Sequence, residues 1–128
     1  MDVQDYILHI QLLGFIAFPV ADLKRSNDFY VLAIGLCVLN TGMFDIDFDF
    51  AGVRLRVYTV DSACDRQHSG LQFFVDDVDA AYRELEAKGV DLRSGVRDEI
   101  WGGRVFTVAD PDGNLFDLVD AAFEKNLV

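Results

Sequence analysis

The chain reads as an α+β fold built from two tandem βαβββ modules, and three observations carry that reading. A short pattern occurs twice, as Phe15-Ile16-Ala17-Phe18-Pro19-Val20-Ala21-Asp22-Leu23 and as Gly70-Leu71-Gln72-Phe73-Phe74-Val75-Asp76-Asp77-Val78. Phe18, Val20, Asp22 and Leu23 fall on Phe73, Val75, Asp77 and Val78 at one constant offset. In each copy an alternating strand runs into an aspartate, then into a helical pattern that a glycine stops, Gly35 or Gly89. The second copy then closes with the turn sequence Asp110-Pro111-Asp112-Gly113-Asn114 and a further alternating run, Leu115-Phe116-Asp117-Leu118-Val119. A repeat this long exceeds a solenoid unit and suits a duplicated module, which makes a two-fold cup.

Taken in order, residues 1–12 form an apolar lead-in, expected as an extra strand or arm. The first strand is expected over 13–20. Asp22 is placed to cap the helix that begins with Leu23-Lys24-Arg25, and Phe29, Tyr30, Ala33 and Ile34 give it an apolar stripe. Three strands follow, over 36–40, 43–50 and 53–60. The middle one, Phe44-Asp45-Ile46-Asp47-Phe48-Asp49-Phe50, alternates without a fault and so has one dry face and one wet face. Ala51-Gly52 is a tight hairpin connection. A polar linker is expected over 61–69. The second module has a strand over 71–75, a helix over 77–88 with Val78, Ala81, Tyr82 and Leu85 buried, and strands over 96–101, 104–109 and 115–120. The expected organisation is a single domain over 1–128, with modules over 13–60 and 70–121.

Composition narrows the function. With 128 residues there is room for one sizeable core, and 52% hydrophobic with 26% charged residues is ordinary for a globular chain. The net charge of −11 argues against nucleic acid, because binding phosphates needs a positive surface. The same field attracts cationic small molecules, although a solvated acidic surface serves solubility equally well. No apolar run approaches the roughly 18 residues that span a bilayer. Met1-Asp2-Val3-Gln4-Asp5 carries acid where a signal peptide carries base, so the expected location is cytoplasmic. Cys37 and Cys64 fit no metal-ligand or disulfide spacing and are expected as reduced thiols.

With "DLKRSNDFY" after strand one and "VDDVDAAYRELEAKG" and "ADPDGNLFDLV" in the second module, the layout resembles the vicinal oxygen chelate superfamily from Gly14 to Asp120. That superfamily includes glyoxalase I, extradiol dioxygenases and bleomycin- or fosfomycin-resistance proteins. The resemblance implies a cup whose halves close round a small molecule, dimerisation to complete it, and up to four His and Glu metal ligands on its wall. In this chain the four ligand positions fall on Phe15, Arg56, Gly70 and Asp117. Phe15 and Gly70 have no lone pair for a divalent cation, and Arg56 repels one. A catalytic site for zinc, nickel or iron needs about three protein ligands, so no metal and no cofactor are expected. A shifted site from His9, His68 and Asp117 is the one remaining arrangement, on weak spacing evidence.

Strand alternation turns Ile16, Phe18, Val20, Val53, Leu55 and Val57 toward the helices. It turns Phe15, Arg54, Arg56, Tyr58, Gly70, Gln72, Phe74, Leu115, Asp117 and Val119 toward the cup. The expected ligand-binding residues are therefore Phe15, Arg56, Tyr58, Gln72, Phe74 and Asp117, with Trp101 on the rim beside Gly102-Gly103. Phe44, Phe48, Phe50 and Phe73 read as core. Arg56 and Asp117 occupy positions that converge on one ion in metal-binding relatives, so they are expected to pair; alternatively Arg56 projects to solvent. The leading functional expectation is a non-catalytic, metal-free protein that sequesters a small, cationic aromatic ligand as a homodimer, like the resistance proteins. The alternative is a glyoxalase-like (lactoylglutathione lyase-type) lyase or related enzyme with a non-standard site. A third is a cup collapsed on its own phenylalanines.

Overall fold

The computed structural model of the chain describes residue 8 and residues 13–60, 68–100 and 102–120, with backbone only at 68. Apart from Leu8, the lead-in over 1–12 lies outside the described residues, as do 61–67 of the linker, Cys64 and Trp101. Each module forms one sheet. In the first, β1 (Ile16–Val20) is followed by α1 (Leu23–Asp28), a π-helical segment (Phe29–Ala33), β2 (Cys37–Thr41), β3 (Asp45–Phe50) and β4 (Val53–Thr59). The second contains β5 (His68–Val75), α2 (Val78–Ala87), β6 (Asp91–Leu92), β7 (Arg97–Asp98), β8 (Arg104–Ala109) and β9 (Leu115–Asp120). The strand orders correspond: β1-β4-β3-β2 in one sheet and β5-β9-β8-β6 in the other, with β7 also on β8. In both, the first strand lies parallel to the last and the remaining pairs are antiparallel.

Local chemistry sets these elements. Both helices are capped by the aspartate that ends the repeated motif: Asp22 accepts from the Arg25 N–H at 3.2 Å and Asp77 from the Ala80 N–H at 3.0 Å. Ala51 and Gly52 both adopt positive φ (52° and 86°), the backbone that a two-residue hairpin with the right twist needs.

Three expectations change in detail. The first helix does not run as one α-helix to Gly35, because from Phe29 it widens into π geometry around Tyr30, whose hydroxyl bonds Asp110 at 2.8 Å. β5 starts at His68 rather than 71, since a bulge at Gly70 (φ 79°) lets the strand continue along β9. The strand expected over 96–101 shortens to β7 at 97–98, and β6 at 91–92 is a further short strand on β8 that was not expected. Between them Ser94 Oγ accepts the Thr107 N–H at 3.1 Å, replacing a ladder bond with a side-chain bond.

The dry faces of both sheets meet in one core. Phe48, Leu55 and Val57 from the first module and Phe106, Val108 and Phe116 from the second are each at most 1% exposed. Phe50 stacks on Phe73 at 3.8 Å, and Phe116 packs edge-on against Phe50. Polar contacts between the modules lie on this side too. Tyr30 donates to Asp110, Asn114 Nδ2 donates to the Pro19 carbonyl at 3.1 Å, and Asp112 accepts from the Ala21 N–H and from Arg25. Lys88 Nζ reaches the Ala33 carbonyl at 3.0 Å.

Tyr30 is fully buried, and burial followed by the charge of Asp110 keeps its phenol well above the ordinary value. It therefore stays a donor to a carboxylate held in the interior. Tyr30→Phe should lower stability by about 1–3 kcal/mol in urea denaturation, the cost of removing one partner of a buried charged hydrogen bond. An unchanged midpoint would contradict the role assigned to this bond.

Candidate functional site

The wet face of the first sheet is organised by one arginine. Arg56 stands mid-sheet, opposite Ala17 of β1 on one side and Asp47 of β3 on the other. Its Nε donates to Asp47 Oδ1 at 2.7 Å and its Nη2 to Oδ2 at 3.1 Å, the two-pronged geometry that suits a guanidinium and a carboxylate. Its carbon centre lies 4.1 Å above the Phe15 ring. Arg54 reaches the same Asp47 Oδ2 at 3.3 Å, and Asp45 stands 3.9 Å from Arg56 Nε. The Asp47 side chain is only 2% exposed. The Arg56 hydrogen bonds hold its carboxyl below the usual range, although burial pulls the other way. Arg56 is correspondingly held in its charged form, first by its bond to Asp47.

On the second sheet, Asp117 is buried and faces Thr107 across the β8–β9 pair. Thr107 Oγ1 donates to Asp117 Oδ1 at 2.7 Å, Gln72 Nε2 approaches Oδ2 at 3.5 Å, and Arg97 Nη2 lies 4.0 Å away. Arg97 is itself held by Glu99 at 2.7 Å and by Ser94 at 2.6 Å.

The expected Arg56–Asp117 pair does not form within the chain. Each charge finds a nearer partner on the adjacent strand of its own sheet. Phe15 and Arg56 are brought together, as are Gln72 and Asp117. Tyr58 and Phe74 remain 37% and 50% exposed on their strands. Trp101, His9 and the His68 side chain lie outside the described residues. Of the phenylalanines read as core, Phe48, Phe50 and Phe73 pack into it, whereas Phe44 precedes β3 and is 67% exposed.

Sequence reasoning missed Asp47, Thr107 and Arg97. The first two were within reach, because counting back from each turn sets Asp47 opposite Arg56 and Thr107 opposite Asp117. No comparable signal pointed to Arg97, whose place depends on the irregular segment around Ser94.

The four ligand positions that the resemblance assigns do not fit a metal. Phe15 presents a ring, Arg56 a bound guanidinium, and only Asp117 an oxygen. A β-carbon at Gly70 would meet nothing within 4 Å, yet φ is 79°, so a histidine there would have space but a strained backbone. Among the described residues, no group of three or more His, Cys, Asp or Glu is placed to hold an ion.

A groove of about 700 Å³ lies away from both wet faces, bordered by Phe29, Leu32 and Pro111. Its three cations are already engaged: Arg25 by Asp112, Lys88 by backbone carbonyls and Arg93 by Asp91. It offers no free polar anchor comparable with the sheet faces. No helix among the described residues is long and apolar enough to cross a membrane.

Comparison with known proteins agrees with this architecture. A family model described as Glyoxalase/Bleomycin resistance protein/Dioxygenase superfamily matches residues 7–118. The uncharacterized protein YraH of Bacillus subtilis (strain 168) is 30% identical over 128 residues, covering 88% of this chain and 95% of that protein. The fosfomycin resistance protein FosX of Listeria monocytogenes superposes with a TM-score of 0.78 at 23% identity, over 93% of this chain and 98% of its own. Lactoylglutathione lyase from Agrobacterium tumefaciens does so with a TM-score of 0.73 at 18% identity, over 88% and 95%. At these identities the two structures speak to fold alone. With the family model spanning both sheets and the turn between β8 and β9, the chain belongs to the glyoxalase/bleomycin resistance protein/dioxygenase superfamily.

Proposed function

We propose that this protein binds and sequesters a small, partly aromatic molecule in a cup that needs no metal. The observation that carries this reading is Arg56, fixed by Asp47 and stacked on Phe15 at a position where the family's enzymes place a metal ligand. A guanidinium held that way offers hydrogen-bond donors and a flat face, but it cannot coordinate an ion. The exposed rings of Phe15, Tyr58 and Phe74 supply apolar contact, and Gln72 a polar one. Their exposure also speaks against a cup collapsed on its own phenylalanines.

The acidic surface favours a basic ligand at long range. At the wall the balance differs, because Asp47 and Asp117 are both taken up by internal donors. We therefore assign the selectivity of the cup to its aromatic surface and its arginines.

We further propose that two copies of the chain build each cup. Support comes from the shared core on the dry side, which leaves Phe15, Tyr58 and Phe74 each more than a third exposed in the single chain. A two-fold pair would set the first module of one copy against the second module of the other.

Two experiments test this reading. In the first, small aromatic compounds should raise the thermal midpoint with increasing concentration. Arg56→Ala and Phe74→Asp chains should each lose the response, while co-refolding them should restore about a quarter of the cups, the share in which both walls are intact. The absence of any stabilising compound would overturn binding, and no recovery on mixing would overturn the two-copy cup.

The second concerns the fixed arginine. Because the Asp47 carboxyl is depressed in the folded state, its contribution is present above the unfolded-state value of 3.8 and is lost as pH falls through the folded value. Asp110 runs the other way: burial raises its carboxyl, so its contribution fades as pH rises through the folded value. Wild type minus Asp47→Asn cancels Asp110, and that stability difference should shrink as pH drops below about 4. A difference independent of pH would contradict an ionised Asp47 as the anchor of Arg56.

A further inference from the structure

On the first sheet two cations converge on one anion. Arg56 Nη2 and Arg54 Nη1 both donate to Asp47 Oδ2, at 3.1 and 3.3 Å. Asp47 carries one charge and is 2% exposed, so it is saturated and hidden behind the guanidinium groups. Asp49 Oδ1 accepts the Gly52 N–H of the hairpin at 2.8 Å, and Asp45 stands 3.9 Å from Arg56 Nε, 38% exposed to water. Meanwhile Nη1 of Arg56, and Nε and Nη2 of Arg54, have no acceptor among the described residues. The side chains of Arg56 and Arg54 are 30% and 48% exposed.

We propose that the ligand of the cup is an aromatic oxyanion, its carboxylate or similar group held by Arg56 and Arg54 while its ring lies along Phe15 and Tyr58. The inference rests on the small-molecule reading above and specifies its ligand class. Its physical basis is geometric and twofold, because Asp45, Asp47 and Asp49 outnumber Arg54 and Arg56 and the face carries no excess of positive charge. The free N–H groups lie at the edges of planar guanidinium groups, whose fork geometry matches an oxyanion. Arg56 is pre-organised by Asp47 and Phe15, so little side-chain freedom is lost when a ligand binds. Phe15 (44% exposed), against the Arg56 guanidinium, and Tyr58 (37% exposed), two residues along β4, offer accessible ring surface.

The test uses one ring system with three charges: 2-naphthoate, 2-naphthalenemethanol and 2-naphthylmethylammonium, titrated calorimetrically at low salt into the full chain. The carboxylate should bind at least about tenfold more tightly than the alcohol or the ammonium compound, the scale of one charge-assisted hydrogen bond. Arg56→Met should abolish the preference for the carboxylate over the alcohol. Because that variant strands a buried carboxylate, the double variant Asp47→Asn/Arg56→Met is the folding-safe form and should lose the preference equally. Ammonium or alcohol binding as tightly as the carboxylate, or a preference that survives both variants, would overturn the oxyanion assignment and leave the small-molecule reading standing. Failure of all three to bind would overturn the oxyanion assignment, while the small-molecule reading falls only if no aromatic compound raises the thermal midpoint.

Discussion

The two halves of the chain meet on one buried carboxylate. Asp110 accepts from the backbone N–H groups of Asp112 and Asn114, from the Asn114 amide and from the Tyr30 hydroxyl. Three of those bonds shape its own turn, and the fourth reaches into the first module. Asn114 returns the connection through the Pro19 carbonyl at the end of β1. An interior carboxylate is costly unless its lone pairs are satisfied, so this arrangement tolerates few substitutions. It fixes the turn before β9 against α1 and β1, and with it the packing of Phe50, Phe73 and Phe116 between the sheets. The wet faces are held in place by that contact, although none of its residues lies on them.

On those wet faces the family scaffold carries a different chemistry. Each sheet has one buried aspartate at the strand pair where its wall is best supported, Asp47 on β3 and Asp117 on β9. Each is satisfied by neighbours: Asp47 by two arginines, Asp117 by Thr107 and Gln72, with Arg97 close by. Internal pairing of this kind fixes side chains in one geometry without leaving oxygen ligands free for an ion. The outcome is a wall of guanidinium groups and rings.

Much of this was legible in the residues, for identifiable reasons. Strict alternation and an unambiguous turn located β8 and β9 at 104–109 and 115–120 with no error at either end. The repeated aspartates marked both helix starts because a cap is a local interaction. Strand parity, together with the positions the family resemblance assigns, put Phe15 on a common face with Arg56 and Gln72 with Asp117, and these side chains do meet. Less legible were features that depend on contacts distant in sequence. The widening of the first helix coincides with Tyr30 meeting Asp110, eighty residues away. The break between β6 and β7 depends on Ser94 finding Thr107. The partner of Arg56 was assigned to the other module by analogy with a shared ion. Without that ion, the two-residue hairpin at Ala51-Gly52 makes Asp47 the nearest carboxylate.

If the cup has kept its scaffold while Arg56 and its partners replace the chelate, the folded protein has no use for a metal. Elemental analysis of purified protein, with thermal melts before and after chelation, addresses that point most directly. The expected result is no stoichiometric nickel, zinc, manganese or iron, and a melting midpoint unchanged by chelator. A stoichiometric ion that stabilises the fold and is lost in Asp117→Ala would contradict the replacement of the chelate.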